Sequence, residues 1–476
     1  LRQDRRHFCT NLVAIPRAQA DEKTPPVRLP SAGDIMKKLD LTKLSVVFSE
    51  RSLCTRCGTC VGICPVDALS IDHEFYPKLN ADVCTECGLC AKTCPGGKVD
   101  FTHLSEITFG NSQNAAGFDG HVQKTLIGHA GDPRIRQGGA GGGIITALMW
   151  DLLQNHIVDG CIVTRINPNR PWHGEVFIAR TYEDLLASQQ SKYIIIPANA
   201  IFQIVKDLPG RYALAAMPCQ VHGYRLMAER LPAIRKKIHI VIGLFCASSL
   251  EPFVAEEMLQ MRGIPKAQIK NFHFRGGSWP GKIRAIMNDG QIKPLHYSNF
   301  KDGAINYLTL LYSPFRCQTC IDGSAEFADI SVSDAWTRDS SGNYVFQSQS
   351  KLLLRTDIGV QIAEQAIANG TLIAQDVSGN QHFQTHRLHT RKKGLKSPLR
   401  TARLLAQGKK APLYDRQPPK STWQDRLGER LESFIMALGR RRATRYPLFN
   451  LLTSRYGILL VKIRQWNKGR KYKGKK

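Results

Sequence analysis

The feature that most constrains this chain is a doubled cysteine run. Cys54-x-x-Cys57-x-x-Cys60-x-x-x-Cys64-Pro65 is followed by Cys84-x-x-Cys87-x-x-Cys90-x-x-x-Cys94-Pro95. A four-iron cubane needs four converging thiolates, and two-residue spacers let three of them wrap it from one stretch of chain. The fourth, followed by Pro, is aimed away and ligates the other cluster of a two-cluster module. The spacing therefore assigns Cys54, Cys57, Cys60 and Cys94 to one 4Fe-4S cluster, and Cys84, Cys87, Cys90 and Cys64 to a second. Gly58 and Gly88 supply turn geometry and close backbone approach. Zinc prefers ligands in two pairs to a repeated run of four.

This run resembles bacterial two-cluster ferredoxins along its whole length. Eight of the chain's 14 cysteines lie in it. Such spacing reads as metal ligation, not as a disulfide scaffold, and thiolate ligands need a reducing compartment. Leu1 to Ala20 has charges but no apolar signal segment, and the apolar run Tyr456 to Val461 is too short to span a bilayer. The expectation is a cytoplasmic protein, peripheral to a membrane if its basic end meets one.

Composition changes along the 476 residues. Residues 1–45 read as a leader with a short helix near Ala32 to Leu39. Residues 46–103 hold the ferredoxin module, and 104–135 a Gly/Asn-rich link that opens a domain running to residue 380. There, buried strands (Gly160 to Arg165, Val176 to Thr181, Tyr212 to Met217, Ile238 to Phe245) alternate with helical stretches (Ile144 to Asn155, His222 to Arg230, Pro252 to Arg262). That alternation predicts an α/β domain. The expected fold class is an α+β ferredoxin-like two-cluster module, then an α/β flavin-binding domain, then a basic helical extension over 381–476. Cys161 lies inside an apolar strand and reads as core. Cys219, Cys246, Cys317 and Cys320 form one more set of four thiols. A third cluster, a zinc site, a redox pair and buried free thiols are all open on spacing alone.

Several segments taken in order carry a family resemblance. They are Arg136-Gln137-Gly138-Gly139-Ala140-Gly141-Gly142-Gly143, Ser191-Lys192-Tyr193, Met217-Pro218-Cys219-Gln220, Gly243-Leu244-Phe245-Cys246, Phe274-Arg275-Gly276-Gly277, Cys317-x-x-Cys320 and Ala325 to Trp336. Over about residues 50–375 the chain resembles the family of coenzyme F-420 hydrogenase/dehydrogenase beta subunits, which includes the 7-hydroxymethyl chlorophyll a reductases and a ferredoxin-dependent divinyl chlorophyllide reductase. The resemblance implies FAD at the glycine-rich segment, with Gln137, Gly138, Gly139, Gly142, Gly143, Thr146, Pro218 and Gln220 as cofactor-binding candidates. Glycines ahead of a helix leave N–H groups bare at its positive end, which suits an anionic cofactor. Many relatives carry Ser where this chain has Gly141. The resemblance also implies a third 4Fe-4S cluster on Cys219, Cys246, Cys317 and Cys320. Lys192 and Tyr193 are the catalytic candidates, as a cation for a reduced flavin and as a stacking or proton-donating group. Glu326, Asp329 and Asp334 read as structural.

Charge is unevenly placed. From Arg387 onward 26 Lys/Arg face 4 Asp/Glu, so +22 of the formal +27 lies in the last fifth of the chain. Apolar residues at Leu427, Leu431, Phe434, Ile435 and Leu438 recur at helical spacing there. Candidate partners are an anionic membrane surface and a ferredoxin or other acidic redox protein; no motif supports nucleic acid. The expected activity is that of an iron–sulfur flavoprotein oxidoreductase. It would pass electrons between a ferredoxin-type carrier, its clusters and a flavin that serves a small organic acceptor, a deazaflavin or a conjugated molecule. The alternative is a non-catalytic electron-transfer subunit of a larger hydrogenase or dehydrogenase.

Overall fold

An eight-stranded mixed sheet organises the computed structural model, which describes residues 40, 43–112, 117–296, 305–341, 343–380, 383, 389–454, 456 and 459. The leader's expected helix near Ala32 to Leu39 lies outside the described residues. The described residues form one compact unit.

The ferredoxin module contains a hairpin of β1 (Leu69–Ile71) and β2 (Pro77–Leu79), two short helices (Thr59–Ile63 and Leu89–Lys92) and β3 (Lys98–Val99). The helix Phe101–Phe109 follows, capped by Asp100, whose side chain accepts from His103 N. The large domain supplies β4 (Lys124–Ala130), β5 (Gly160–Asn167), β6 (Arg170–Ala179), β7 (Tyr212–Ala216), β8 (Ile238–Leu244), β9 (Ile269–Gly276), β10 (Lys282–Met287), β11 (Ile292–Pro294), β12 (Ile330–Asp334), β13 (Ser350–Leu354) and β14 (Leu372–Asp376). The large sheet runs β14-β4-β13-β12-β8-β7-β5-β6, and β9 to β11 form a separate three-stranded sheet. Its middle is parallel, β12 with β8, β8 with β7 and β7 with β5. Antiparallel partners close both flanks. Buried apolar strands of this kind need both faces covered. The helices Ile144–Gln154 and Asp357–Ala368 pack one face; Phe101–Phe109 and Pro218–Arg230 pack the other.

The link expected over 104–135 is not a link. Its first part completes the helix Phe101–Phe109, and its last part is β4, hydrogen-bonded between β13 and β14. Asn and Gly punctuation around positions 111–120 masks a strand that has only a few consecutive apolar residues and owes its place to two partners distant in sequence.

The C-terminal extension is helical at Ser397–Ala406, Trp423–Gly439 and Arg442–Thr453, and its short β15 (Leu413–Tyr414) pairs with β3. Phe449 is fully buried in the cluster that includes Phe272, Phe274 and Leu308. Arg445 meets Glu257 through Nη2 at 2.6 Å, and Tyr312 OH donates to Glu257 at 2.7 Å. Of the apolar stripe read on Trp423–Gly439, Ile435 packs against that cluster, but Leu427, Leu431 and Phe434 are exposed. Glu429, Met436 and Gly439 are buried instead, because Arg400 and Arg403 offer Glu429 paired guanidinium groups at 3.1 and 2.9 Å.

Candidate functional site

Each ferredoxin loop has one non-glycine residue in the left-handed region, Arg56 (φ 55°) and Glu86 (φ 54°), followed two residues later by Gly58 (φ 84°) and Gly88 (φ 74°). These turns start the short helices that carry Cys60 and Cys90. One cavity is lined by Cys54, Cys57, Cys60 and Cys94, and another by Cys64, Cys84, Cys87 and Cys90. These are the two quartets that the spacing assigns. Backbone N–H groups already point at sulfur: Arg56 to Cys54, Ala68 to Cys64 and Gly96 to Cys94, each at 3.3 Å. Burial pushes the Cys54 thiol up to about 12 and raises those of Cys60, Cys90 and Cys94. Thiols held this way become thiolates only with metal, so loading would release protons. Among the described residues no three His, Cys, Asp or Glu side chains converge as a single metal ion requires. Quartets lining cavities fit a polynuclear cluster better than one ion.

The remaining four thiols come from three places in the large domain. Cys219 is the second residue of the helix Pro218–Arg230, Cys246 lies just past the end of β8, and Cys317 and Cys320 flank the end of the helix Phe315–Gln318. Burial raises Cys219, and the charges of Cys57, Cys317, Cys320 and Cys246 add to that. Burial likewise raises Cys246, with Cys317 and Cys320 among its neighbours and Lys393 opposing. These four thiols therefore lie within electrostatic range of one another, and Cys219 also within range of Cys57 of the first quartet. Cys60 of that quartet in turn feels Cys90 of the second. Cys161 is fully buried in the core of the sheet.

The joint between the modules was not visible in the sequence. Arg316, 3% exposed, donates from Nε to Gly96 O at 2.9 Å, from Nη2 to Pro95 O at 2.8 Å and from Nη1 to Tyr414 OH at 3.0 Å. Asn199 N donates to Cys57 O at 3.0 Å, and its Nδ2 reaches Thr59 Oγ1 at 2.9 Å and Gln220 O at 2.8 Å. A Cβ on Gly62 would stand 2.2 Å from Asn199 O, so the glycine permits this contact. The Gln220 side chain ties two segments of the large domain beside this joint, accepting from Met217 N and donating to Ile196 O, both at 2.8 Å. Pro218 is the buried first residue of its helix. The Gln220 carbonyl meets the ferredoxin joint through Asn199. The only available signal for Arg316 was a cation directly preceding a ligand cysteine.

The glycine-rich loop joins the helix Pro133–Gly138 to Ile144–Gln154, which starts at Gly143 with φ 74°. A Cβ on Gly142 would meet Gly128 O at 2.7 Å and Ser350 N at 2.9 Å, and one on Gly143 would meet Ile135 O at 2.7 Å. These glycines thus fit the loop against its own backbone. Gln190 Nε2 donates to Gly138 O at 2.6 Å, and Gln189 Nε2 to Ile135 O at 2.8 Å, docking the 188–193 segment here. Gln137 is exposed and Thr146 is buried on the helix. Lys192 Nζ donates to the carbonyls of Ser188 and Gln189, and burial lowers its ammonium to about 7. Burial raises Tyr193, beside Arg275. Arg275 bonds Asp334 at 2.7 Å and lies 5.4 Å over Trp336, and Asp334 Oδ1 lies 2.7 Å from where a Cβ of Gly141 would stand. Trp336 stacks on Trp279 at 4.9 Å. Among the described residues Gln190 Oε1 and Trp279 Nε1 are buried without a hydrogen-bond partner. The helix N-terminus at Gly143, Lys192, Arg275 and the aromatic faces fit a planar anionic cofactor. Asp334 is a strut here, Asp329 binds Arg225 and Val241 N, and Glu326 pairs with Arg416.

A two-cluster module docked on a mixed α/β domain defines an iron–sulfur protein of the redox class. Residues 53–98 match the 4Fe-4S dicluster domain family. Residues 125–203 and 210–379 match the N-terminal and C-terminal parts of the coenzyme F420 hydrogenase/dehydrogenase beta subunit, and the chain belongs to that family of oxidoreductases. It is 28% identical to a subunit of the F(420)H(2) dehydrogenase of Methanosarcina mazei, over 65% of this chain and 81% of that one. It is 26% identical to the beta subunit of the coenzyme F420 hydrogenase of Methanothermobacter thermautotrophicus, over 53% and 83%. The match to the coenzyme F420-dependent sulfite reductase of Methanocaldococcus jannaschii, 25% identical over 66% of this chain, spans 46% of that protein's length. A chain of the F420-reducing [NiFe] hydrogenase complex from Methanosarcina barkeri superposes with TM-score 0.47 at 20% identity, over 61% of this chain and 95% of that one. Among the described residues no helix is long and apolar enough to cross a membrane.

Proposed function

We propose that the chain is a self-contained flavin-dependent iron–sulfur oxidoreductase. Three 4Fe-4S clusters would lie in series, on the Cys64 quartet, the Cys54 quartet and the Cys219 quartet, with FAD at the glycine-rich loop. A ferredoxin-type carrier would exchange electrons with the outer clusters, and a small organic molecule, a deazaflavin or a conjugated ring system, would exchange them at the flavin. The observation that carries this reading is the serial adjacency of the thiol sets, Cys90 beside Cys60 and Cys57 beside Cys219.

Bound flavin would supply the conversion between one-electron and two-electron transfer. The chain's residues would do the rest. The positive N-terminus of the helix at Gly143 would orient the anionic part of the cofactor, Gly142 N being held by Ser350 Oγ at 3.0 Å, and Trp336 with Trp279 would limit water at one side. Lys192, close to neutral pH in its titration, can hold or give up a proton beside the ring. Arg275 is fixed by Asp334 and Tyr193 and keeps a positive charge in the site.

A second reading, an electron-transfer subunit serving a separate catalytic partner, is favoured by relatives that are named as subunits. Anaerobically reconstituted protein carrying FAD decides between them. Oxidation of reduced ferredoxin coupled to turnover of a deazaflavin or another soluble acceptor, without added protein, supports the enzyme. Cluster reduction with no acceptor turnover across such a panel supports the subunit.

A further inference from the structure

The helix Trp423–Gly439 leaves large apolar side chains in solvent: Trp423 is 70% exposed, Leu427 57%, Leu431 60% and Phe434 62%. At 3.6 residues per turn these four fall within a sector of about 80° and run roughly 16 Å along the axis. Arg426 and Arg430, both exposed, flank the sector on one side. The helix's acids lie on the opposite side and are already engaged. Asp425 accepts from Thr422 N and Oγ1 at 3.0 and 2.7 Å. Glu429 is held by Arg400 and Arg403, and Glu432 by Lys396 and Arg400. The outward face thus combines apolar ridge and positive charge with no free carboxylate.

We propose that this face seats the protein on an anionic lipid bilayer, with the helix lying in the plane of the interface. A stripe of Trp, Leu and Phe beside arginines matches what an interfacial helix needs, apolar burial of about 5–10 Å depth together with attraction to anionic headgroups. An acidic protein partner would use the charge but offers nothing for a convex ridge of four large apolar groups. The sequence beyond adds Lys468, Arg470, Lys471, Lys473, Lys475 and Lys476. Those charges strengthen the electrostatic part for lipid and for an acidic protein alike, so the apolar stripe is the discriminating feature.

The test uses full-length, cluster-loaded protein and vesicles of phosphatidylcholine alone or with about 30% phosphatidylglycerol. The chain should co-sediment with the anionic vesicles and far less with the neutral ones. L431D/F434D, at exposed positions, should bind at least tenfold more weakly with unchanged iron content. R426Q/R430Q should weaken binding several-fold, and only on anionic vesicles. In the unaltered chain, lipid brominated on its acyl chains should quench a part of the fluorescence that W423F lacks. This quenching tests insertion even if the aspartate variant folds poorly. Unchanged vesicle binding by L431D/F434D, or no Trp423-dependent quenching, overturns the proposal. Absence of vesicle binding combined with stripe-dependent binding to an acidic ferredoxin would assign the face to a protein and also overturn it.

Discussion

Replacing Arg316 with Met tests how the ferredoxin module is joined to the large domain. The guanidinium is buried and makes three hydrogen bonds, two of them to the carbonyls of Pro95 and Gly96 next to Cys94. Bonds from a charged donor contribute about 1.5–3 kcal/mol each, and a buried acceptor left without a partner costs about 1–3 kcal/mol. These terms overlap, so the expected destabilisation is roughly 4 kcal/mol. The charge has a second effect, since it faces Cys94, Cys219 and Cys320. At separations under about 10 Å and an effective dielectric near 20, one charge contributes on the order of 2 kcal/mol. For a one-electron couple that is a fall of roughly 80 mV in reduction potential when the charge is removed. R316K separates the two effects. It keeps the charge, but a single ammonium cannot reproduce the planar fork, so stability should fall while the potentials stay put. Urea unfolding together with redox titration followed by electron paramagnetic resonance measures both. R316M with unaltered stability and unaltered potentials would refute the reasoning about this joint.

Three further outcomes are expected. Lys192 gives up its proton at about 7 in the folded chain, whereas an unfolded lysine holds it to about 10.4, so the unfolded state binds more protons between those values. Stability of the cofactor-free protein should therefore rise with pH through that window, and K192M should flatten the rise in chemical denaturation. In the same variant FAD affinity should lose its decline between about pH 6 and pH 8, read by fluorescence titration, because the cation that favours an anionic cofactor is gone. R445L should cost about 3 kcal/mol by leaving the buried Glu257 with Tyr312 and the more distant, exposed Arg442 at 3.6 Å, which makes the extension up to Thr453 part of the fold; calorimetry checks it.

What could be read in the sequence depended on range. Cysteine spacing encodes which thiols share a cluster because three of each four ligands are local. The strands β5, β7 and β8 were legible because they are continuous apolar runs that few other structures accommodate. β4 was hidden because its place is set by β13 and β14, more than 200 residues away, and its own pattern is weak. The orientation of Trp423–Gly439 was unreadable for a related reason. Its apolar periodicity points one way, but Glu429 is pulled inward by two arginines whose position only the fold determines. The glycines of 138–143 stand out in the sequence for freedom from a side chain, yet Gly142 is packed on strand backbone at Gly128 and Ser350 and Gly143 on the Ile135 carbonyl. The segments holding Tyr193, Arg275 and Asp334 with Trp336 are recognisable one by one in the sequence, but their meeting beside that loop depends on the fold.

Iron and acid-labile sulfide in the anaerobically reconstituted protein count the clusters that one chain holds. Three clusters give close to twelve irons and twelve sulfides per chain, falling to about eight when Cys219, Cys246, Cys317 and Cys320 are all replaced with Ser, with the ferredoxin clusters' spectra retained. A value near eight in the unaltered protein that the quadruple variant leaves unchanged would contradict that count.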